Sequence, residues 1–190
     1  ISGYIEVGSS EEALRCLQEM QLEGVTQDQV TFFSGLKAAG DIGDLERGTS
    51  IHIHITRIGF DGDVTIGNML VYMYAKCGLL EEAQDLFDEL PARDIVSWNS
   101  LISGFSQKGL VEDALNCLHL MQEENLSVNA VTYVCVLKAC GTVRNLDKGQ
   151  EIHGKIVEEE FEKEVFVGNS LIDMYAKCGS LIGAQEVFDE

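Results

Sequence analysis

Proline is almost missing from this chain: Pro91 is the one instance in 190 residues. No Ser- or Gly-rich stretch makes up for it, so neither a linker nor a boundary between independent globular domains can be drawn. Positive charge is scarce as well, with 13 Lys and Arg against 32 Asp and Glu and a formal net charge of -19. That balance speaks against a protein that grips nucleic acid through a broad basic surface. No apolar run approaches the roughly 20 residues of a membrane span, so a soluble chain without a membrane partner is expected. The six cysteines, Cys16, Cys77, Cys117, Cys135, Cys140 and Cys178, include no CxxC pair. Neither zinc nor a disulfide framework is implied, and buried free thiols are expected instead. There is no HxE, no Gly-rich phosphate loop and no Ser/His/Asp arrangement, which leaves no basis for an active site, a cofactor, a metal or a small-molecule substrate. Ile1 is not an initiator methionine and lies inside a repeat, so a targeting segment would have to lie outside this stretch.

What is present is self-similarity. Ile1-Ser2-Gly3 returns as Ile102-Ser103-Gly104, Leu36-Lys37-Ala38 as Leu137-Lys138-Ala139, and the six residues from Met73 to Gly78 return from Met174 to Gly179. The period is 101 residues, and about 40 of the 89 comparable positions are identical. Inside it lie shorter units at 29–63, 64–94 and 95–129, each reading as an apolar helix, a glycine-containing turn and an amphipathic helix. In the unit at 95–129, Val96 to Lys108 is helical in pattern, Gly109 breaks it, and Ala114, Leu115, Leu118 and Met121 recur at helical spacing. The break is expected at Gly8, Gly40, Gly78, Gly109, Gly141 and Gly179, where a left-handed residue can end a helix. Ser9 and Glu12 have capping-box spacing. A single hairpin cannot bury its own apolar face, so the expected fold is all-α, a solenoid of stacked helix-turn-helix units.

These units resemble pentatricopeptide repeats, specifically the triplet subclass that alternates P, L and S units. Ile95-Val-Ser-Trp-Asn-Ser-Leu-Ile-Ser-Gly-Phe is similar to a P-unit opening. Leu36-Lys-Ala-Ala-Gly and Leu137-Lys-Ala-Cys-Gly, each followed by Gly-x-x-Ile-His at Gly48 to His52 and Gly149 to His153, resemble L units. Asn68 to Gly78 and Asn169 to Gly179 resemble S units. The resemblance implies a partial P unit at 1–28, L at 29–63, S at 64–94, P at 95–129, L at 130–164 and a partial S at 165–190, wound as a right-handed α-solenoid superhelix. First helices would line the inner surface and second helices the outer wall. His52 and His153, at equivalent second-helix positions, fit repeated packing better than a metal site.

In such repeats the fifth and last residues of a unit together recognise one base of single-stranded RNA, which a side-chain amide can do because an unstacked base shows donors and acceptors. The resemblance therefore implies Asn68 with Asp94 for uracil, Asn99 with Asn129 for a pyrimidine, cytosine more than uracil, and half-sites at Asp28 and Asn169. Second-position residues, here Val30, Thr65, Val96, Val131 and Phe166, would clamp bases between units. Lys76 and Lys177 are candidates for phosphate contact. The L units depart from the polar pattern, with Phe33 and Asp63 in one and Val134 and Glu164 in the other. Packing, spacing, or docking of small organellar editing cofactor proteins all remain open for them. Triplet-type members commonly address sites of C-to-U editing in chloroplast or mitochondrial transcripts, with zinc deaminase chemistry located elsewhere.

The charge pattern can be set against that architecture. The first-helix segments 29–39, 64–76, 95–108, 130–140 and 165–177 hold Lys37, Lys76, Lys108, Lys138 and Lys177 and one acid, Asp173. A weakly cationic inner face is expected, the acids falling on the outer wall and turns, where solvent screens them beyond about 8 Å. A protein-binding scaffold of the tetratricopeptide kind is the competing reading, disfavoured because that class keeps a uniform period of about 34 residues.

Overall fold

The computed structural model describes residues 1–60 and 62–189, and among these it contains twelve helices and no strand. They are α1 Ser2–Glu6, α2 Ser10–Leu22, α3 Gln29–Ile42, α4 Leu45–Ile58, α5 Val64–Cys77, α6 Leu80–Glu89, α7 Ile95–Gln107, α8 Val111–Glu123, α9 Ala130–Val143, α10 Leu146–Glu158, α11 Val165–Lys177 and α12 Leu181–Asp189. The chain divides into two compact units, Ile1–Leu101 and Ile102–Glu190. Composition draws no boundary there, but the division falls on the 101-residue period, so each compact unit is one copy of the long repeat.

Within the first unit α3 packs against α1, α2, α4 and α5, and α5 against α3, α4 and α6; within the second, α9 packs against α8, α10 and α11, and α11 against α9, α10 and α12. First helices of the hairpins therefore touch neighbours on several sides, and their sequences are apolar nearly all round. Phe32, Leu36 and Ala39 on α3 and Ile66, Leu70 and Met73 on α5 are buried, each large side chain contributing roughly 1.5–3 kcal/mol. The second helices are one-sided, as in α4, where Gly48, Ile51 and Ile55 are its buried residues and the rest meets solvent. This is the all-α helical-hairpin repeat of the solenoid class.

Four expectations need correction. Gly40 and Gly141 do not break helices but lie inside α3 and α9. A Cβ on Gly40 would sit 2.9 Å from the Tyr72 ring and 3.2 Å from Met73 Cα, and one on Gly141 would sit 3.4 Å from Met174 Cα. Their glycines serve close helix approach, and the left-handed stops come three residues later, at Gly43 and, unusually for a residue with a Cβ, at Arg144. The Ser9 side chain makes no cap hydrogen bond to α2, so the capping box with Glu12 does not form. Because α3 runs on to Ile42, Asp41 joins the first helices as a second acid. Finally, only Cys117 and Cys140 are buried, the other four cysteines being partly exposed. Burial pushes the Cys117 thiol up to about 12 and the Cys140 thiol to about 11, which keeps both protonated and unreactive at neutral pH. The positions Gly8, Gly78, Gly109 and Gly179 do adopt positive φ.

The Gly-x-x-Ile-His motif also acquires a physical account. Met73 and Met174 fill the space where Gly48 and Gly149 lack a Cβ, while His52 Nδ1 lies 2.9 Å from Tyr74 Oη and His153 Nδ1 2.9 Å from Tyr175 Oη. Each pair fastens a second helix to the first helix of the following hairpin. Among the described residues no group of three His, Cys, Asp or Glu could hold a metal ion, and no helix is long and apolar enough to cross a membrane.

Candidate nucleic-acid interface

Every one of the proposed unit-ending residues precedes a first helix, and four of them cap it. Asp28 accepts a hydrogen bond from Thr31 N at 2.8 Å, Asp63 from Ile66 N at 3.0 Å, Asp94 from Ser97 N at 2.9 Å and Asn129 from Thr132 N at 3.1 Å. Glu164, one methylene longer, stands at the N-cap of α11 without a side-chain cap bond. Such caps satisfy orphan N–H groups and stabilise by about 1 kcal/mol each. The Asp28 carboxyl is held below its ordinary value, chiefly by the Thr31 hydroxyl and then by the Thr31 N–H. Asp-x-x-Thr, Asp-x-x-Ser and Asn-x-x-Thr are legible cap spacings in the sequence.

Capping fixes what these side chains can offer. A carboxylate only accepts hydrogen bonds, so Asp28, Asp63 and Asp94 present acceptors whichever way they turn. Asn129 must give its oxygen to the Thr132 N–H, and the Thr132 hydroxyl also bonds that oxygen at 3.1 Å. Its Nδ2 is consequently the end turned away from the helix, a donor.

The structure brings Asn68 and Asp94 together. Asn68 Nδ2 donates to both Asp94 oxygens at 3.1 Å. Asp94 is exposed, but Asn68 is only 5% exposed, and its Oδ1 is buried without a hydrogen-bond partner among the described residues. Asn99 is half-buried on α7 in the first compact unit, whereas Asn129 begins α9 in the second; Asn169 is exposed on α11. The five second-position residues are all exposed: Val30, Val96, Val131 and Phe166 between 46% and 59%, with Thr65 in the same class. Four of the five are apolar, and an apolar side chain left half in water at the first turn of a helix is not spent on the core.

The lysines are less open than their spacing implies. Lys177 Nζ lies 2.6 Å from Asp173 Oδ2, and Lys37 Nζ 3.4 Å from Asp41 Oδ2. The ammonium groups of Lys37 and Lys76 sit 5.4 and 5.5 Å from the Tyr72 ring centroid, and the Tyr72 hydroxyl donates to Asp41. Burial first, then the Asp41 bond, raises the Tyr72 phenol, which stays neutral. Lys108 and Lys138 are exposed.

Gln29, the first residue of α3, is not among the residues that the resemblance implies for base reading. Its Nε2 donates to both Asp63 oxygens at 2.9 Å, the same amide-on-carboxylate arrangement that Asn68 makes with Asp94. The signal was the departure itself, an amide one turn before the apolar Phe33.

Helical hairpins in series, with amide and carboxylate side chains recurring where first helices begin, define a helical-repeat protein. The chain belongs to the pentatricopeptide repeat family: the PPR repeat family model matches residues 93–142, and the PPR repeat model matches 1–25, 68–95 and 169–190. The pentatricopeptide repeat-containing protein At5g55740, chloroplastic, of Arabidopsis thaliana is 37% identical over 187 residues, covering 98% of this chain and 22% of that protein. The putative pentatricopeptide repeat-containing protein At3g25060, mitochondrial, of the same plant is 38% identical over 189 residues, covering 100% of this chain and 31% of its own. The crystal structure of PPR10 in complex with an 18-nt psaJ RNA element, a maize protein, is similar with a TM-score of 0.79 and 26% identity over 90% of this chain and 26% of that one. The chain thus spans about a fifth to a third of the length of these two relatives.

Proposed function

We propose that this chain is a tract that binds single-stranded RNA and addresses individual bases through its amide and carboxylate row. The observation that carries the reading is the Asn68–Asp94 pair. Its amide, its carboxylate and a buried, unmet amide oxygen make a small polar site beside the exposed Thr65 and Val96. Leaving a buried acceptor unmet costs about 1–3 kcal/mol. A base N–H reaching it past the exposed Asp94 side chain would recover part of that cost. Uracil offers one donor, N3–H, between two carbonyl acceptors, which suits a carboxylate and an amide acting together.

At the unit 95–129 the Nδ2 end of Asn129, turned away from the helix, favours a base whose ring nitrogen accepts, which among the pyrimidines is cytosine. Apolar second-position residues are proposed to wall the bases, and Lys76 and Lys177 to meet phosphates, Lys177 once it parts from Asp173. The relatives named chloroplastic and mitochondrial and the RNA-bound structural neighbour support an organellar RNA-binding role. The unit spacing and the L-type motifs support the triplet subclass, and with it target-site recognition for C-to-U editing. In that role the apolar Val134 of the 130–164 unit is left for cofactor-protein docking.

The test is a titration of the chain with short RNAs that vary one base at a time. Uracil at the Asn68 register should bind about tenfold tighter than a purine there, and Asn68→Ala should erase that preference alone. Equal binding of all four bases by the unaltered chain would remove the base-reading claim.

A further inference from the structure

We infer that the unit 29–63 holds a base-reading site of its own, made by Gln29 and Asp63 with Phe33 as stacking wall, and that it selects a keto base, uracil or guanine, over cytosine or adenine. This rests on the RNA-binding reading above. On the fifth-residue rule the unit is silent, because Phe33 has nothing to offer a base edge. Gln29, however, lies one turn before Phe33 and hence on the same helix face. Its longer side chain brings its amide to 2.9 Å from both Asp63 oxygens, as Asn68 brings its own to 3.1 Å from Asp94.

Neither Gln29 nor Asp63 is fully buried. Phe33 is 36% exposed and Val30 59%. A half-open aromatic ring one turn along from a polar pair provides both parts of nucleobase recognition, a face to stack on and an edge to bond. The buried aromatic chemistry of this unit is met elsewhere, by Phe32 against His54 and Phe60.

Selectivity follows from the cap. Asp63 receives the Ile66 N–H at 3.0 Å and, as a carboxylate, has only acceptors left for a ligand. The Gln29 Nε2 is held to Asp63 and carries two N–H groups, so one can stay on the carboxylate while the other is offered to a ligand, and Asp63 decides. Uracil N3–H and guanine N1–H are ring donors beside a carbonyl; cytosine N3 and adenine N1 are ring acceptors beside an amine. Only the first class can donate to Asp63 while its carbonyl accepts from Gln29. The equivalent unit at 130–164 has Ala130 and Glu164 at these positions and lacks the pair, which makes it an internal control.

The experiment is the same titration with the base on each side of the Asn68 register varied in turn among all four. On one side uracil or guanine should bind about tenfold tighter than cytosine or adenine. Gln29→Ala should abolish that preference while leaving uracil selectivity at Asn68 intact. Asp63→Asn should reverse it, since the new amide must still give its oxygen to the Ile66 N–H and so turns a donor outward; the retained cap keeps the fold. Uracil selectivity at Asn68 with no preference for uracil or guanine at either neighbouring base overturns this site and leaves the RNA reading standing. Indifference at Asn68 and at both neighbours overturns both.

Discussion

A unit-ending cap such as Asp63 closes a helix end and is proposed to face a base as well, whereas Asp44 has only the structural half. It caps α4 by accepting from Arg47 N at 2.9 Å, and the Arg47 guanidinium in turn reaches Glu11 of α2 at 2.8 Å. The backbone N–H of Arg47, more than its charge, holds the Asp44 carboxyl below its ordinary 3.8. A carboxyl depressed in the folded state lends stability above its unfolded value and loses it as pH falls through the lower folded value. Stability contributed by this cap should therefore be complete at neutral pH and disappear below pH about 4. Asp44→Asn keeps an acceptor for the cap but does not titrate. Thermal unfolding followed by circular dichroism should show near-equal melting temperatures at pH 7 and a shallower acid-side loss for the variant. Asp44→Ala should cost about 1 kcal/mol at pH 7. An acid limb identical in Asp44→Asn and the unaltered chain would show that the cap carries no linkage.

At the scale of helices, glycines divide by what faces them. Gly40 on α3 has the Met73 backbone and the Tyr72 ring within 3.2 Å of where a Cβ would stand, whereas Gly154 on α10 has nothing within 4 Å. Gly40→Ala should therefore destabilise by about 1–3 kcal/mol through forced separation of α3 from α5, even though alanine is the better helix former. Gly154→Ala should stabilise by about 0.5–1 kcal/mol through propensity alone. Urea unfolding of the two variants checks the opposite signs. Helical spacing made the hairpins and their order legible in the sequence, because apolar periodicity reports burial directly. It did not separate a glycine that ends a helix from one that lets two helices touch, since both read as a missing side chain. Asp28, Asp63, Asp94 and Asn129 were legible as unit-ending residues, and the spacing of three of them to Thr31, Ser97 and Thr132 is that of a cap, but the cap of Asp63 on Ile66 and the outward donor of Asn129 depend on where α5 and α9 begin. Gln29 escaped because its partner lies 34 residues on.

For the whole molecule the question is how a chain of net charge -19 could hold a polyanion. Charge counted along the sequence placed five lysines and one acid on the first helices; the longer α3 adds Asp41, and Lys37 and Lys177 each spend their charge on an acid one turn away. Exposed i,i+4 pairs are worth only a few tenths of a kcal/mol, so a phosphate can compete for those lysines, but at a discount. Two or three effective cations remain for counterion release. For single strands the dependence of log affinity on log salt is about -0.7 per neutralised phosphate, which gives a slope of about -2. Raising salt from 50 to 200 mM should then weaken RNA binding only by about twentyfold, far less than for a basic nucleic-acid-binding domain. Asp173→Asn releases Lys177 and should strengthen binding several-fold at low salt, equally for every base sequence, and steepen the slope towards -3. A flat salt response would place recognition wholly on bases. A change of base preference in Asp173→Asn would mean that Lys177 touches bases rather than phosphate.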